Sequence, residues 1–326
     1  MTRSRIVGTG AYLPKRVLTN HDLERMVDTS DRWITERTGI KERRIAAPEE
    51  ATSDLAVHAS RRALEAAGLS PRDLDLILVS TVTPDTPFPA TACVVQEKLR
   101  ARKAVAFDIS AACSGFIYAL AVADHFLTRG TYRNALVVGA EIFSRIINWK
   151  DRSTCVLFGD GAGAAVLIPS RGRRGLLSTH LHADGSHAKL LYVPAGGSRI
   201  PPSQESVAKN LHTVHMRGNE TFKVAVRALA QAVQEALSHN GLTGEDVDLL
   251  IPHQANIRII RATAKRLGLP MSKVFVNLDR YGNTSAASIP IALDEAVRQG
   301  RVHPNDLILF EAFGGGLTWA SAVLRW

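Results

Sequence analysis

Two stretches decide the fold: ALEAAGLSPRDLDLILVST, residues 63–81, and ALSHNGLTGEDVDLLIPHQ, residues 236–254. Each begins as a helix that ends at Gly and continues through a Ser or Thr cap followed by acidic residues. Each then enters an apolar run, led by Asp, that is typical of a buried strand. Asp75 and Asp248 hold the two stretches at one offset (248 − 75 = 173). The sequence therefore predicts that one helix–strand unit occurs twice.

The similarity continues beyond these stretches. NALVVGAE from Asn134 matches NDLILFEA from Asn305, and the segments AFDISAACSGFIYALAVADHFLTRG and FVNLDRYGNTSAASIPIALDEAVRQG lie between the paired blocks. Both segments are predicted as a short strand, a turn of small residues and a helix that ends at Gly. Chance similarity of two ordinary units is the alternative, but order, spacing and composition agree over three consecutive elements. We predict a duplicated α/β fold with halves at 1–172 and 173–326 and sheets covered on both faces.

Composition limits the function. The chain has 326 residues and a net charge of +9, which favours acidic partners without identifying them. Nucleic acid is one candidate, but no basic–aromatic module or zinc finger occurs, so we expect none to bind. No apolar run of about 20 residues is present, so no membrane span is expected. Three cysteines without a ligand-spaced pair argue against a disulfide framework or metal, and favour a cytoplasmic location.

Cys113 is the first candidate for chemistry. It follows the strand VAFDIS, lies in a turn of small residues and precedes the helix GFIYALAVADHFL. Free N–H groups at a helix start can lower a thiol pKa and can stabilise an oxyanion. A small buried cysteine at a helix start is the competing interpretation, and position alone does not separate the two.

His253 and Asn283 are candidates in the second half. His253 follows the strand DVDLLIP, at the sheet edge where ligands of α/β folds collect, although most loop histidines are simply hydrogen-bonded. Asn283, in YGNTSAAS, holds nearly the place in the second unit that Cys113 holds in the first. An isolated Asn-Thr-Ser would more often be a cap or turn. The repeat predicts that the two helix starts meet, so that Cys, His and Asn converge.

Four motifs now carry a resemblance. Together DISAACSGF, PHQANIRI, RYGNTSAASIP and FEAFGGGLTW resemble the thiolase superfamily, and within it the β-ketoacyl-acyl-carrier-protein synthase III family, over essentially the whole chain. Degradative thiolases have a second cysteine in the Gly-rich turn, where this chain has Phe313. Elongating condensing enzymes have a second histidine in place of Asn283. Papain-like proteases share the three residue types but not the fold, and plant-type polyketide synthases differ in length and flanking sequence.

The resemblance implies a layered αβαβα thiolase-like fold, a homodimer and an acyltransferase without a cofactor. Its substrates would be a short acyl-coenzyme A, predicted as acetyl, and malonyl-acyl-carrier-protein, which condense with loss of CO2 through acyl-Cys113 to initiate fatty acid synthesis. His253 and Asn283 would stabilise the enolate, and the backbone N–H groups of Cys113 and Gly315 would bind the oxyanion.

Further residues are implied to bind substrates. The predicted coenzyme A contacts are Thr29, Trp33, Arg37, Arg152, Gly218, Asn219 and Asn256. Trp33 and Arg152 are expected to sandwich the adenine. Phe88 would reach the acyl pocket of a partner subunit. Lys223, Arg258, Arg261 and Lys265 would dock the carrier protein, and the last three share one helix face; a plain solvated face is the alternative.

Two other functions stay open. A related condensing enzyme or acyltransferase could use another primer, for a secondary metabolite or a pimeloyl-type chain. A carrier-protein-binding homologue without catalysis is the non-enzymatic alternative, which the intact Cys, His and Asn set argues against.

Overall fold

Two mixed β-sheets form the framework in the computed structural model, which describes residues 2–326. Its strands are β1 (Thr2–Tyr12), β2 (Arg16–Thr19), β3 (Glu42–Ile45), β4 (Leu76–Ser80), β5 (Val105–Ile109), β6 (Ala135–Ile142), β7 (Asp160–Arg171), β8 (Gly175–Ala183), β9 (Leu191–Tyr192), β10 (His215–Met216), β11 (Leu249–Pro252), β12 (Leu307–Gly314) and β13 (Thr318–Arg325). Its α-helices are α1 (Asn20–Glu24), α2 (Asp31–Thr38), α3 (Thr52–Ala67), α4 (Thr91–Leu99), α5 (Gly115–Thr128), α6 (Arg152–Cys155), α7 (Gln204–Ala208), α8 (Gly218–His239), α9 (Ile257–Arg266), α10 (Leu278–Tyr281) and α11 (Ser288–Arg298). Short 3-10 turns include Ala112–Ser114 and Ser285–Ala287.

Four strands follow the same order in both sheets, and the first sheet has β5 in addition. The first runs β1-β7-β6-β4-β5, and the second runs β8-β13-β12-β11 when read from its β8 edge. In the first sheet β7 pairs antiparallel with both β1 and β6, and in the second sheet β13 pairs antiparallel with both β8 and β12. The pairs β4–β6 and β11–β12 are parallel. This agreement supports the predicted duplication, and a boundary between residues 172 and 173 stays a prediction.

Helices cover and separate the sheets. Helices α5 and α11 each contact strands of both sheets. They can lie between the sheets because both helices carry apolar residues on nearly every side. Helices α3 and α4 cover the outer face of the first sheet, and α8 with α9 covers the second. Gly8 and Gly10 let β1 approach α3, since a Cβ on either would lie within 2.4 Å of the helix backbone. The layers are therefore αβαβα, and the predicted fold is confirmed.

One predicted strand is missing. The segment that follows α9 is predicted to begin with a short strand, but near its start only one isolated bridge forms, between Leu250 and Val274. The side chain of Gln254 takes the strand partner's place: its amide nitrogen donates to the oxygen of Phe275 at 3.1 Å, and its oxygen accepts from the nitrogen of Asn277 at 3.0 Å. A side chain has thus replaced part of a backbone ladder, which no periodicity reveals.

The two turns at the centre are equivalent. Ala112 and Ser285 both have positive φ, at 46° and 49°, and they stand at the offset of the repeat (285 − 112 = 173). The left-handed conformation is unusual for residues with a side chain, so its occurrence at both positions marks the same backbone path. By this register the equivalent of Cys113 is Ala286, and Asn283 lies three residues before it. The sequence interpretation that Asn283 holds nearly the same place is refined accordingly.

Gly139 allows the second turn to pack on β6. A Cβ at Gly139 would lie 2.2 Å from the oxygen of Ala286, a backbone atom that cannot rotate away. We expect Gly139→Ala to lower the free energy of unfolding by roughly 1–3 kcal/mol, the range of overpacked cores. Urea denaturation measures this change.

Gly197→Ala is the matched control for Gly139→Ala. A Cβ at Gly197 would meet no atom within 4 Å among the described residues, so its stability should stay within about 0.5 kcal/mol of the wild type. Equal stability of the two variants would contradict the close approach at Gly139.

Two further observations concern composition. Within residues 2–326, no helix is both long enough and apolar enough to cross a membrane. Cys93 and Cys155 occur in apolar runs that favour core positions, but only Cys155 is buried; Cys93 is exposed because its side of α4 faces solvent. That interpretation was therefore wrong for Cys93.

Candidate active site

A cavity of about 470 Å³ reaches from the surface to the centre of the molecule. Cys113, His253 and Asn283 all line it, and their exposed fractions are only 4%, 7% and 7%. The first residue comes from one half of the chain and the other two come from the second half. The convergence predicted from the repeat is therefore present, although the catalytic roles remain to be tested.

The turn around Cys113 is fixed from the other half. The hydroxyl of Thr318 donates to the oxygen of Ala111 at 2.8 Å, and the hydroxyl of Ser114 donates to the oxygen of Thr318 at 3.0 Å. Gly314 lies against the nucleophile turn, since a Cβ there would be 2.5 Å from the nitrogen of Cys113. Cys113 thus sits in the turn just before α5, held by β12, β13 and their connection.

Burial, however, determines the charge of the thiol. It raises the pKa of Cys113 to about 12; the Ser285 hydroxyl opposes the rise and the Glu141 carboxylate adds to it. The position before a helix was expected to favour a lowered pKa. The loss of solvent around a fully buried sulfur outweighs that effect here. The resting thiol is therefore neutral.

His253 is oriented by Ser288 at the start of α11. Its Nδ1 lies 2.6 Å from the Ser288 hydroxyl oxygen, which also accepts the N–H of Gln254 at 3.3 Å. Among the described hydrogen bonds the Ser288 hydroxyl has no acceptor other than Nδ1, so we assign its hydrogen to Nδ1 and the ring proton to Nε2. Burial lowers the pKa of His253 to about 3, so the imidazole is neutral. The resting pair is a neutral thiol with a neutral imidazole.

Asn283 is held by the first half of the chain. Its backbone N–H donates to the backbone oxygen of Leu157 at 2.9 Å, and its backbone oxygen accepts from the backbone N–H of Gly159 at 3.0 Å. Its side-chain oxygen accepts from the nitrogen of Ser285 at 2.9 Å. Because the oxygen is occupied by this bond, the amide NH2 remains available as a donor in the cavity.

A second cavity of about 350 Å³ borders Cys113 and Gly315. Most of its lining is apolar, namely Val82, Phe143, Ile146, Phe158, Leu191, Val193 and Val214. The rings of Phe143 and Phe158 stack with centroids 4.5 Å apart. Cys113 therefore borders both the main cavity and this apolar cavity. The residues that line the apolar cavity were not predicted from the sequence.

The residues predicted to bind coenzyme A largely share the main cavity. Trp33, Arg37, Arg152, Gly218, Asn219 and Asn256 line it, whereas Thr29 does not. The guanidinium carbon of Arg152 lies 4.8 Å from the centroid of the Trp33 ring, and that of Arg37 lies 4.8 Å away as well. A purine could enter between Trp33 and Arg152 only if Arg152 moved, so the predicted sandwich is closed in this structure.

The four predicted docking residues are exposed near the cavity. Arg258, Arg261 and Lys265 lie on α9, and Lys223 lies on the neighbouring helix α8. Arg258 lines the mouth and stacks over Phe222, with 5.3 Å between its guanidinium carbon and the ring centroid. Phe88 is 85% exposed and lines neither of these cavities in its own chain. A role of Phe88 in a partner's pocket stays a prediction.

Three polar residues were not singled out from the sequence. Ser288 orients His253, Glu141 lies behind Cys113, and Glu311 lines the main cavity beside His253. Glu141 accepts bonds from Thr83 at 2.5 Å and from Val82 at 3.2 Å, and burial raises its pKa to about 7. Acidic residues inside the apolar strands β6 and β12 were the available signal for Glu141 and Glu311.

Comparison with known proteins agrees with this geometry. Family models described as 3-oxoacyl-(acyl-carrier-protein) synthase III match residues 107–185 and, for the C-terminal part, residues 237–326. A β-ketoacyl-(acyl-carrier-protein) synthase III of Caldanaerobacter subterraneus subsp. tengcongensis is 63% identical over 321 residues, or 98% of this chain and 97% of that protein.

Solved structures give the same result. A 3-oxoacyl-(acyl-carrier-protein) synthase III from Aquifex aeolicus VF5 is 54% identical with a TM-score of 0.93, covering 99% of this chain and 100% of its own. A priming β-ketosynthase of the R1128 polyketide pathway is 38% identical with a TM-score of 0.91, covering 99% of this chain and 96% of its own. With relatives this similar along its whole length, the chain belongs to the β-ketoacyl-acyl-carrier-protein synthase III family.

Proposed function

We propose that the chain condenses a short acyl-coenzyme A with malonyl-acyl-carrier-protein, releasing coenzyme A and CO2 and forming a 3-oxoacyl-acyl-carrier-protein. This reaction initiates fatty acid synthesis. The observation that carries the proposal is the shared cavity in which a buried thiol meets two neutral hydrogen-bond donors. No step requires a cofactor, because the thioester substrates and the thiol supply the reacting groups.

In the first half-reaction, the Cys113 sulfur attacks the acyl thioester and the carbon–sulfur bond to coenzyme A breaks. Cys113 loses a proton and the departing thiolate gains one, so this step is proton-neutral. The N–H groups of Cys113 and Gly315 would bind the oxyanion, which agrees with Gly315 and Cys113 bordering one cavity. Glycine at 314 allows the two turns to approach so closely.

In the second half-reaction, decarboxylation of the malonyl group leaves an enolate. Nε2–H of His253 and the NH2 of Asn283 are proposed to donate to its oxygen. Neutral donors suit this task because they stabilise the developing charge without giving up a proton. The enolate carbon then attacks acyl-Cys113, and the thiolate leaves.

The entry path for the thioester substrates is inferred from the main cavity. Trp33, Arg37 and Arg152 would hold the adenine end of coenzyme A, with Gly218, Asn219 and Asn256 beside the pantetheine arm. Thr29 lies outside the lining of this cavity, so its expected contact with coenzyme A gains no support from the cavity. We further propose a cytoplasmic homodimer in which the exposed Phe88 of each subunit reaches the acyl pocket of the other.

Intact-mass spectrometry tests the proposal directly. After incubation with acetyl-coenzyme A, the protein should gain one acetyl group on Cys113, and the adduct should disappear when malonyl-acyl-carrier-protein is added. If no acyl donor gave an adduct, the proposed catalytic activity would be refuted and a carrier-protein-binding role would be favoured.

Primer length has a second candidate. The apolar cavity beside Cys113 has room beyond a two-carbon group, which favours a longer or branched primer unless Phe88 of a partner fills it. Equal mixtures of acetyl-, butyryl- and isobutyryl-coenzyme A, read by intact mass, separate the candidates. Dominance of the acetyl adduct supports initiation of fatty acid synthesis, and dominance of another adduct supports a specialised synthase.

The basic face formed by Lys223, Arg258, Arg261 and Lys265 is proposed to dock the acidic carrier protein. We expect Arg258→Glu to raise the KM for malonyl-acyl-carrier-protein roughly tenfold, the equivalent of about 1.4 kcal/mol, and to leave acyl loading nearly unchanged. Steady-state kinetics with varied carrier protein measures the effect. Arg61→Glu, an exposed charge reversal on α3 at the opposite outer layer, is the control and should change neither value. Equal KM values for both variants would rule out this docking face.

A further inference from the structure

The proposed function leaves one proton to be supplied. Malonyl thioester, acyl-Cys113 and one proton give the 3-oxoacyl thioester, CO2 and the free Cys113 thiol. The main cavity is also the proposed place of the pantetheine arm, so its mouth would be filled during this step. The proton must therefore enter either through the occupied mouth or by a second route. This inference rests on the proposed function.

Glu311 is the unexplained polar group of the cavity. It lines the cavity, it is 1% exposed, and within residues 2–326 neither carboxyl oxygen makes a hydrogen bond of good geometry. Its backbone oxygen accepts the N–H of His253 at 2.7 Å. A buried carboxyl without a protein partner of good geometry is unusual, which makes Glu311 a candidate for a role in the cavity.

The carboxyl of Glu311 points toward the crevice between α8 and α9. Side chains alternate along β12, and those of Leu309 and Phe313, on either side of Glu311, pack against these two helices. Thr263 of α9 lies beside the carboxyl, and it is also 1% exposed without a hydrogen bond of good geometry to its hydroxyl.

A surface groove continues from this point. The groove between α8 and α9 is lined by Ala230, Gln231, Gln234, Thr263, Arg266 and Leu267. Along α9, Ile259 lines the catalytic cavity and Thr263, one turn later, lines the groove. On α8, Leu229 lines the catalytic cavity and the next residue, Ala230, lines the groove. Glu311 and Thr263 therefore stand where the cavity and the groove adjoin.

We propose that Glu311 and Thr263 form a proton-entry route between α8 and α9, separate from the mouth through which the thioesters enter. When the carbon–sulfur bond of acyl-Cys113 breaks, the electron pair stays on the sulfur. The proton of the Glu311 carboxyl moves into the cavity, by way of water, to that thiolate. The carboxylate regains a proton from solvent through the Thr263 hydroxyl, so each turnover consumes one solvent proton.

The charge state of Glu311 suits this role. Burial raises the pKa of its carboxyl to about 8, and the Thr263 hydroxyl opposes part of the rise. The other ionisable groups of the cavity are Cys113, His253 and, toward the mouth, Arg37, Arg152 and Arg258, while Arg266 borders the groove. None of them shifts this pKa. The carboxyl therefore holds its proton at neutral pH and loses it above about pH 8.

Single-turnover kinetics separates the half-reactions. Acyl loading is followed by intact mass, and condensation starts from preformed acyl-Cys113 mixed with malonyl-acyl-carrier-protein, between about pH 6 and 9. Wild-type condensation should fall as Glu311 ionises. Glu311→Gln should condense at least ~10-fold more slowly at neutral pH and lose that fall, while loading stays within about twofold. Thr263→Val, which removes only the outer hydroxyl, should slow condensation less but in the same way.

Glu235→Gln is the matched control. Glu235 is a carboxylate on α8, one of the two helices that border the proposed route, but it pairs with His180 at 3.2 Å and His182 at 2.8 Å and lines neither the cavity nor the groove, so neither rate should change. Wild-type rate and pH dependence in Glu311→Gln, or equal slowing of both half-reactions, would overturn the route. An unchanged Thr263→Val would overturn its outer part. Wild-type protein that never forms acyl-Cys113 would instead refute the proposed function.

Discussion

Cys113→Ala should form no acyl adduct and should lose condensation by at least ~10⁴-fold, the scale seen when a covalent nucleophile is removed. In the proposed mechanism the sulfur carries the acyl group between the half-reactions, and no other thiol can replace it, because Cys93 and Cys155 line neither cavity. Intact-mass spectrometry with acetyl-coenzyme A, and product formation with malonyl-acyl-carrier-protein, measure the two losses.

The control for Cys113→Ala uses a buried thiol outside the site. Cys155→Ala removes the same atom from another buried position, and it should retain acyl loading even if stability falls. Loading that survives in Cys113→Ala, or that moves to another residue without loss of rate, would end the assignment.

His253→Ala and Asn283→Ala should each slow condensation by about 10²–10³-fold, the cost of one preorganised donor to a developing oxyanion. Acyl loading should fall far less, because these donors are proposed to bind the enolate oxygen rather than the first thioester. Malonyl decarboxylation on preformed acyl-Cys113, measured beside the rate of loading, gives the comparison. A larger loss in loading than in decarboxylation would reverse the proposed roles.

Ser288→Ala distinguishes the imidazole from its support. The hydroxyl of Ser288 fixes the proton on Nε2 of His253, so its loss should reduce condensation less than His253→Ala does. If Ser288→Ala were as slow as His253→Ala in both half-reactions, general damage to the cavity would explain the result better than a lost donor.

The sequence predicts the duplicated fold of this molecule well, because the repeat can be recognised from local patterns of helix, cap and strand residues. The offset of 173 set by Asp75 and Asp248 reappears in the backbone at Ala112 and Ser285, and four strands follow the same order in both sheets. The strand expected near Val274 failed for a non-local reason. The amide of Gln254, distant in sequence, satisfies that backbone, and such a replacement leaves no periodic signal.

The charge states of the site were beyond sequence reasoning. A position before a helix indicates a lowered thiol pKa for Cys113, but the pKa rises because burial between the packed halves removes most of the solvent around the sulfur. Burial is a property of the whole assembly, and the same holds for the neutral His253 and for Glu311. Position and the repeat indicate Cys113, His253 and Asn283 as candidates, whereas their protonation follows only from the structure.

The backbone bonds of Asn283 have a consequence for motion. Its nitrogen and oxygen are tied to Leu157 and Gly159 of the opposite half, whereas His253 follows β11 within its own half. The turn that carries Cys113 is bonded in the same way to Thr318 of the second half, so the thiol and the amide are each held across the boundary between the halves. The thiol and the amide can therefore separate only when bonds that cross this boundary break, which couples the geometry of the site to the packing of the two halves.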